Sequence, residues 1–142
     1  MYINGMWGNW ATEPSGSEFD VLNPATGAVI KSLPDGGREA ARAAIEAAAE
    51  ALVTWRATTP YQRAEFLMRA HALMLERQEA LAKVMTAEQG KPLRAAMTEV
   101  KYASDFLQWF AEEGKRVYGE IIPSARPDQR FHVLHQPVGV VA

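Results

Sequence analysis

The sequence predicts an α/β fold, and three features predict it. Turn signals between short apolar runs fill the first third. Apolar residues at spacings of three and four fill the middle, and an apolar, β-branched run returns at the end. In the first third, "MYINGMW" reads as a strand turned at Asn4-Gly5, because a tight hairpin turn needs the positive φ that Asn and Gly tolerate. "FDVLNPATGAVIKSLP" then places strands at Phe19–Leu22 and Ala28–Leu33 around the turn Asn23–Gly27. Pro24 presets that turn, and Gly27 supplies the left-handed residue that closes it.

After "PDGG" the period changes to that of a helix. Ala41, Ile45, Ala48, Leu52 and Trp55 form an amphipathic stripe whose alanines admit another element at close range. The next helix starts at "TPYQ", with Thr59 as N-cap, Pro60 at the first helical position and Gln62 completing a capping box. Its apolar side carries Ala64, Leu67, His71 and Met74, a further segment adds Leu81, Val84 and Met85, and Gly90 and Pro92 supply the stop. A long helix follows from about Leu93 to Tyr118, closed by Gly119 and Pro123. One stripe on it holds Val100, Ala103, Leu107, Phe110, Ala111 and Gly114, and a second holds Tyr102, Phe106 and Trp109. A helix apolar over so much of its circumference should touch two bodies at once. "SARPDQR" is a polar connector, and "FHVLHQPVGVVA" returns to strand, interrupted by Pro137. The run Val138–Ala142 reads as a strand covered on both faces, which needs neighbours that these residues do not supply.

Composition bounds the function. The 142 residues are 48% hydrophobic with a formal net charge of -2, so a core can form and no basic stripe is available for nucleic acid. No stretch approaches the roughly 20 apolar residues of a membrane span. The start of the chain lacks the basic and apolar regions of a signal peptide, so a cytoplasmic protein is expected. There is no cysteine, which excludes disulfides, thiolate metal sites and a cysteine nucleophile within these residues.

The residues alone offer no convincing active site. His132 and His135, three apart on a strand, point to opposite faces, and His71 on an apolar helix face reads as a hydrogen-bonded core or edge histidine. Glu112 and Glu113 project about 100° apart and read, with Lys115 and Arg116, as an ion-paired solvated face. "DGGRE" matches neither a dinucleotide fingerprint nor a phosphate loop and reads as a turn into a helix. The Tyr102, Phe106, Trp109 stripe reads either as core or as the lining of an apolar channel.

Five segments together carry a resemblance: "NPATG" (Asn23–Gly27), "WR" (Trp55-Arg56), "EQGKP" (Glu88–Pro92), "VYGEIIP" (Val117–Pro123) and "QPVGVVA" (Gln136–Ala142). In this order and spacing the chain resembles the N-terminal part of the NAD(P)-dependent aldehyde dehydrogenase superfamily, most of all its succinate-semialdehyde dehydrogenases. The resemblance implies the N-terminal strands and helices of that fold, stopping before most of its Rossmann-like sheet. It implies residues 1–127 as the first portion of the NAD(P)-binding domain. It makes 128–142 a strand of the oligomerisation arm, with homo-oligomer formation through the strand at 130–136.

For the complete enzyme the resemblance implies oxidation of an aldehyde to the acid with NAD or NADP. The thiolate, base, oxyanion and cofactor-binding groups would all lie beyond these residues. It makes Tyr102, Phe106 and Trp109 border the substrate tunnel. It also puts a structural monovalent cation on backbone carbonyls at Val21, Leu22 and Glu88, beside the plainer reading of a turn packed on a helix end. A short non-enzymatic module that binds through its helices, or a truncated gene product, is the competing reading.

Overall fold

The computed structural model describes residues 1–8 and 18–141. It is built from three antiparallel hairpins and four helices. In the first hairpin β1 (Tyr2–Ile3) pairs with β2 (Met6–Trp7), with Asn4 at φ 50° and Gly5 at φ 78°, so both turn residues take the positive φ that the Asn-Gly pair predicts. In the second, β3 (Glu18–Leu22) pairs with β4 (Val29–Pro34), and a register shift falls between Val21 and Leu22. Gly27 closes the intervening turn at φ 72°, its N–H donating to the Asn23 carbonyl at 2.8 Å.

α1 (Gly37–Trp55) follows, then α2 (Pro60–Glu76), α3 (Gln78–Gln89) and α4 (Leu93–Glu113). The expected capping box is complete: the Gln62 N–H donates to Thr59 Oγ1 at 3.2 Å, and Thr59 N–H donates to Gln62 Oε1 at 2.8 Å. Thr59→Ala removes one partner of that pair and is expected to cost about 1 kcal/mol, read as a lower urea midpoint with an unchanged slope.

The core lies where α4 crosses α2 and α3. Ala82, Ala96 and Val100 are buried there, with Met74, Met85 and Met97 packed around them. Alanines at the crossing let the backbones approach, and the unbranched methionines fill what remains. Two polar contacts tie the helices: His71 Nδ1 lies 2.9 Å from the Ser104 carbonyl, and Gln78 Nε2 donates to the Met97 carbonyl at 2.9 Å. A carbonyl only accepts, so Nδ1 carries the proton, and His71 is the hydrogen-bonded histidine expected of it.

Several expectations are corrected. α2 and α3 are separate helices broken at Arg77, and Leu81 and Val84 face outward while Ala82 takes the buried place. α4 stops at Glu113 and tightens into a 3-10 turn, Gly114–Arg116, rather than running to Tyr118. Its buried line is Ala96, Val100, Ser104 and Ala111, so Ala103 and Phe110 of the expected stripe are exposed. Buried Ser104 is tolerated because its hydroxyl donates to the Lys101 carbonyl at 2.8 Å. On α1 it is Ala40 that is buried, while Ala41, Ile45, Ala48 and Trp55 of the expected stripe lie exposed.

The third hairpin pairs β5 (Glu120–Pro123) with β6 (Arg130–Val133). β6 ends at Val133, short of the 130–136 strand expected, and residues 134–141 form no strand. The run expected at Val138–Ala142 is open backbone through Val141, with Val138 94% exposed, and Ala142 lies outside the described residues. A strand requires a ladder of hydrogen bonds, and among the described residues no strand pairs with this run. Among the described residues no helix is long and apolar enough to cross a membrane.

The surface is not closed. The chain exposes 11272 Å², whereas a compact monomer of its mass exposes about 7,300 Å².

Candidate functional site

The most distinctive surface is on α4. Tyr102, Phe106 and Trp109 fall at i, i+4 and i+7, so helical geometry sets them on one face, turned away from buried Val100 and Ser104. The sequence expectation that they share a stripe holds, and Phe110 and Asp105 join them around one open groove of about 310 Å³. The Tyr102 and Phe106 rings meet edge to face with centroids 4.8 Å apart, and Phe106 stacks on Phe110 at 6.3 Å. Such pairs fix the rings at modest conformational cost and leave a rigid apolar wall. The one carboxylate at the groove, Asp105, is held by Lys101 Nζ at 2.6 Å. This arrangement can receive an apolar body and does no proton or nucleophile chemistry by itself. Phe110, expected on the other stripe, lies four residues after Phe106 and so borders this groove through the geometry of α4 itself.

The second region is the junction of the β3–β4 turn with the end of α3. Gly90 takes the left-handed conformation at φ 70°, and a Cβ placed on it would lie 3.1 Å from Pro24 Cγ. The "NPATG" turn therefore packs directly on the "EQGKP" helix end, which is the plainer of the two readings of these residues. Val21 and Leu22 flank the register shift, where Ile30 of β4 drops out of the ladder opposite them. Glu88 sits in the last turn of α3, where carbonyls lack intrahelical donors, and the residue four on, Pro92, has no N–H to offer. The donor chemistry suits a hard monovalent cation, although Glu88 is exposed and paired with nothing among the described residues. Gly90→Ala forces a Cβ into both the left-handed backbone and Pro24, and about 1–2 kcal/mol of stability should be lost in a urea titration.

The remaining candidates resolve simply. Glu112 pairs with Lys115 at 3.0 Å and Glu113 with Arg116 at 2.5 Å, the ion-paired face that their order suggested. The Glu113 carboxylate beside it pushes the Arg116 guanidinium further up. Lys91 and Glu99 form a further pair. His132 lies in β6 and His135 beyond its end; among the described residues no group of three or more His, Cys, Asp or Glu is gathered for a metal. The two glycines of "DGGRE" do different work: a Cβ at Gly36 would lie 2.3 Å from Met1 Cε and 2.6 Å from Ala40 Cβ, whereas Gly37 supplies a left-handed residue at φ 52°.

The chain belongs to the aldehyde dehydrogenase family, whose model matches residues 10–142. Among its relatives, a glutarate-semialdehyde dehydrogenase of Pseudomonas putida is 50% identical over 141 residues, covering 99% of this chain and 29% of that enzyme. A succinate-semialdehyde dehydrogenase of Escherichia coli, named for NADP(+), is 49% identical over 135 residues, covering 95% of this chain and 28% of that enzyme. In structure, the chain superposes on a succinate-semialdehyde dehydrogenase from Burkholderia pseudomallei with a TM-score of 0.87 and 42% identity, covering 97% of this chain and 28% of that one. The chain thus spans under a third of the length of the relatives it matches.

Proposed function

We propose that these residues act as the N-terminal portion of a cytoplasmic aldehyde dehydrogenase subunit that oxidises a carboxylated semialdehyde, succinate semialdehyde first, to the acid with NAD or NADP. The unclosed surface carries this reading: roughly half as much again is exposed as a compact monomer of this mass exposes, and the excess is rich in aromatic and branched side chains. The substrate class rests on the semialdehyde dehydrogenases to which the chain is nearly half identical.

Within such a subunit each region has a physical task. The α4 groove walls the substrate channel with Tyr102, Phe106 and Trp109, keeping water from the aldehyde. The carbonyls of Val21, Leu22 and Glu88 hold a structural monovalent cation that ties the β3–β4 turn to α3. Residues 1–127 form the first portion of the nucleotide-binding domain. Residues 128–142 form the arm, where β6, paired on one side with β5 of the first portion, keeps an unpaired edge beside exposed Phe131, a surface suited to strand pairing with a second subunit. With no cysteine among these residues, the covalent step belongs to groups outside them, and no residue here is assigned to the dinucleotide.

The test is an assay with succinate semialdehyde and NADP or NAD. The 142-residue chain alone is expected to give no turnover, and the enzyme isolated from the source organism is expected to give it. In that enzyme Trp109→Ala should raise KM about five- to tenfold with little change in kcat, as loss of a wall contact does. Turnover by the 142 residues alone would overturn the proposal.

A further inference from the structure

We propose that Asn4 is a site of spontaneous deamidation, and that its conversion to aspartate and isoaspartate releases the β1–β2 hairpin from α1. The reaction needs an asparagine amide beside a backbone nitrogen free to reach it, and the first turn of the chain supplies both. Asn4 and Gly5 are exposed at the tip of the hairpin. Gly5 has no side chain to shield its nitrogen, and a Cβ placed on it would meet nothing within 4 Å. Its N–H donates to no group among the described residues, and no hydrogen bond there holds the Asn4 amide. The other asparagines differ. Asn23 is followed by Pro24, which has no N–H to give up, and its Oδ1 accepts from the Ala25 N–H at 2.9 Å. Asn9 is followed by the bulky Trp10.

Ring closure forms a bond from the Gly5 nitrogen to Asn4 Cγ and breaks the Cγ–Nδ2 bond, the proton of that nitrogen leaving with Nδ2 as ammonia. Water then opens the succinimide at either carbonyl. One product is aspartate, and the other is isoaspartate, whose backbone runs on through Cβ and Cγ. That added backbone carbon lengthens a two-residue turn whose tight geometry pairs Tyr2 with Trp7 and Ile3 with Met6. The new carboxylate stands at the cavity that Asn4 shares with Glu46 and Glu50 of α1, where like charges repel. Ile3, only 8% exposed, lines the same cavity with Ala43 and Ala47, so the contact at risk is the one that seats the hairpin on α1. This inference does not depend on the dehydrogenase reading.

The test ages the whole protein, expressed from its own gene, at mildly alkaline pH and follows its peptides by mass spectrometry, with fragmentation to place each converted residue. Asn4 should convert about tenfold faster than Asn9, and Asn23 should stay an amide. Conversion should quicken as pH rises, because the attacking nitrogen must shed its proton. Hydrogen exchange across residues 2–7 should speed up in the aged protein. In Asn4→Gln, whose longer side chain closes a ring only slowly, exchange should stay as it was before ageing. An Asn4 that remains an amide, or that converts no faster than Asn9, overturns the site. Conversion with unchanged exchange at residues 2–7 overturns the release of the hairpin.

Discussion

Val100→Asp is expected to unfold the helical half of the chain. Val100 is 3% exposed and is packed with Ala82, Ala96 and three methionines, an apolar cluster with no cation to meet a carboxylate. Placing an ionised group there without a partner costs several kcal/mol, and the group escapes only by taking up a proton or by opening the helices. A small domain has about 5–15 kcal/mol of stability in all, and a chain with so open a surface has less to lose. The helices α2, α3 and α4 share this one cluster, so losing it releases all three. Far-ultraviolet circular dichroism should show loss of most helical signal at neutral pH, with partial return in acid as the carboxyl is protonated. Val100→Ala, which removes apolar atoms but adds no charge, should cost only about 2 kcal/mol and keep the helices. A Val100→Asp protein with full helical signal and the parent's urea midpoint would show that the crossing is not the core.

The second large effect concerns association. Purified by itself, the 142-residue chain is expected to self-associate and to melt without a sharp transition. Its 11272 Å² exceeds the area of a compact monomer by about 4,000 Å², the scale of a permanent interface rather than of a transient one. The exposed side chains are of the kind that associate: Trp109 and Tyr102 on α4, Val53 on α1, Ile121 on β5. Sedimentation velocity should therefore show species that grow with concentration. Replacing Tyr102 and Trp109 together by lysine should shift the distribution toward monomer without loss of helix, since neither side chain supports the core. A monodisperse monomer with a cooperative melt at every concentration would contradict the unclosed surface on which the functional proposal stands.

What the sequence could disclose follows from the range of the forces involved. Turns and caps are written locally, so Asn4-Gly5, Gly27, Gly90 and the Thr59–Gln62 capping box lie where their chemistry predicts. The choice of buried face is not local. On α4 the crossing with α2 and α3 selects the small residues Ala96, Ser104 and Ala111, because they permit close approach, and it leaves the larger Phe110 outside. Periodicity ranks residues by hydrophobicity and so favours the larger side chains. The same cause put Ile45 and Trp55 in an expected stripe that these residues do not cover. Of the candidate site, the Tyr102, Phe106, Trp109 stripe is legible because one helix carries all three, and Asp105 and Phe110, at i+3 and i+8 from Tyr102, border it by the same spacing. The contact of Pro24 with Gly90 spans 66 positions and could be anticipated only through the family resemblance.

The most direct measurement is the intact mass of the protein as its source organism makes it, taken by mass spectrometry on material purified through semialdehyde dehydrogenase activity. The account predicts a polypeptide roughly three times longer than these 142 residues, containing this sequence and matching the length of its relatives. An active species whose polypeptide consists of these residues alone would contradict it.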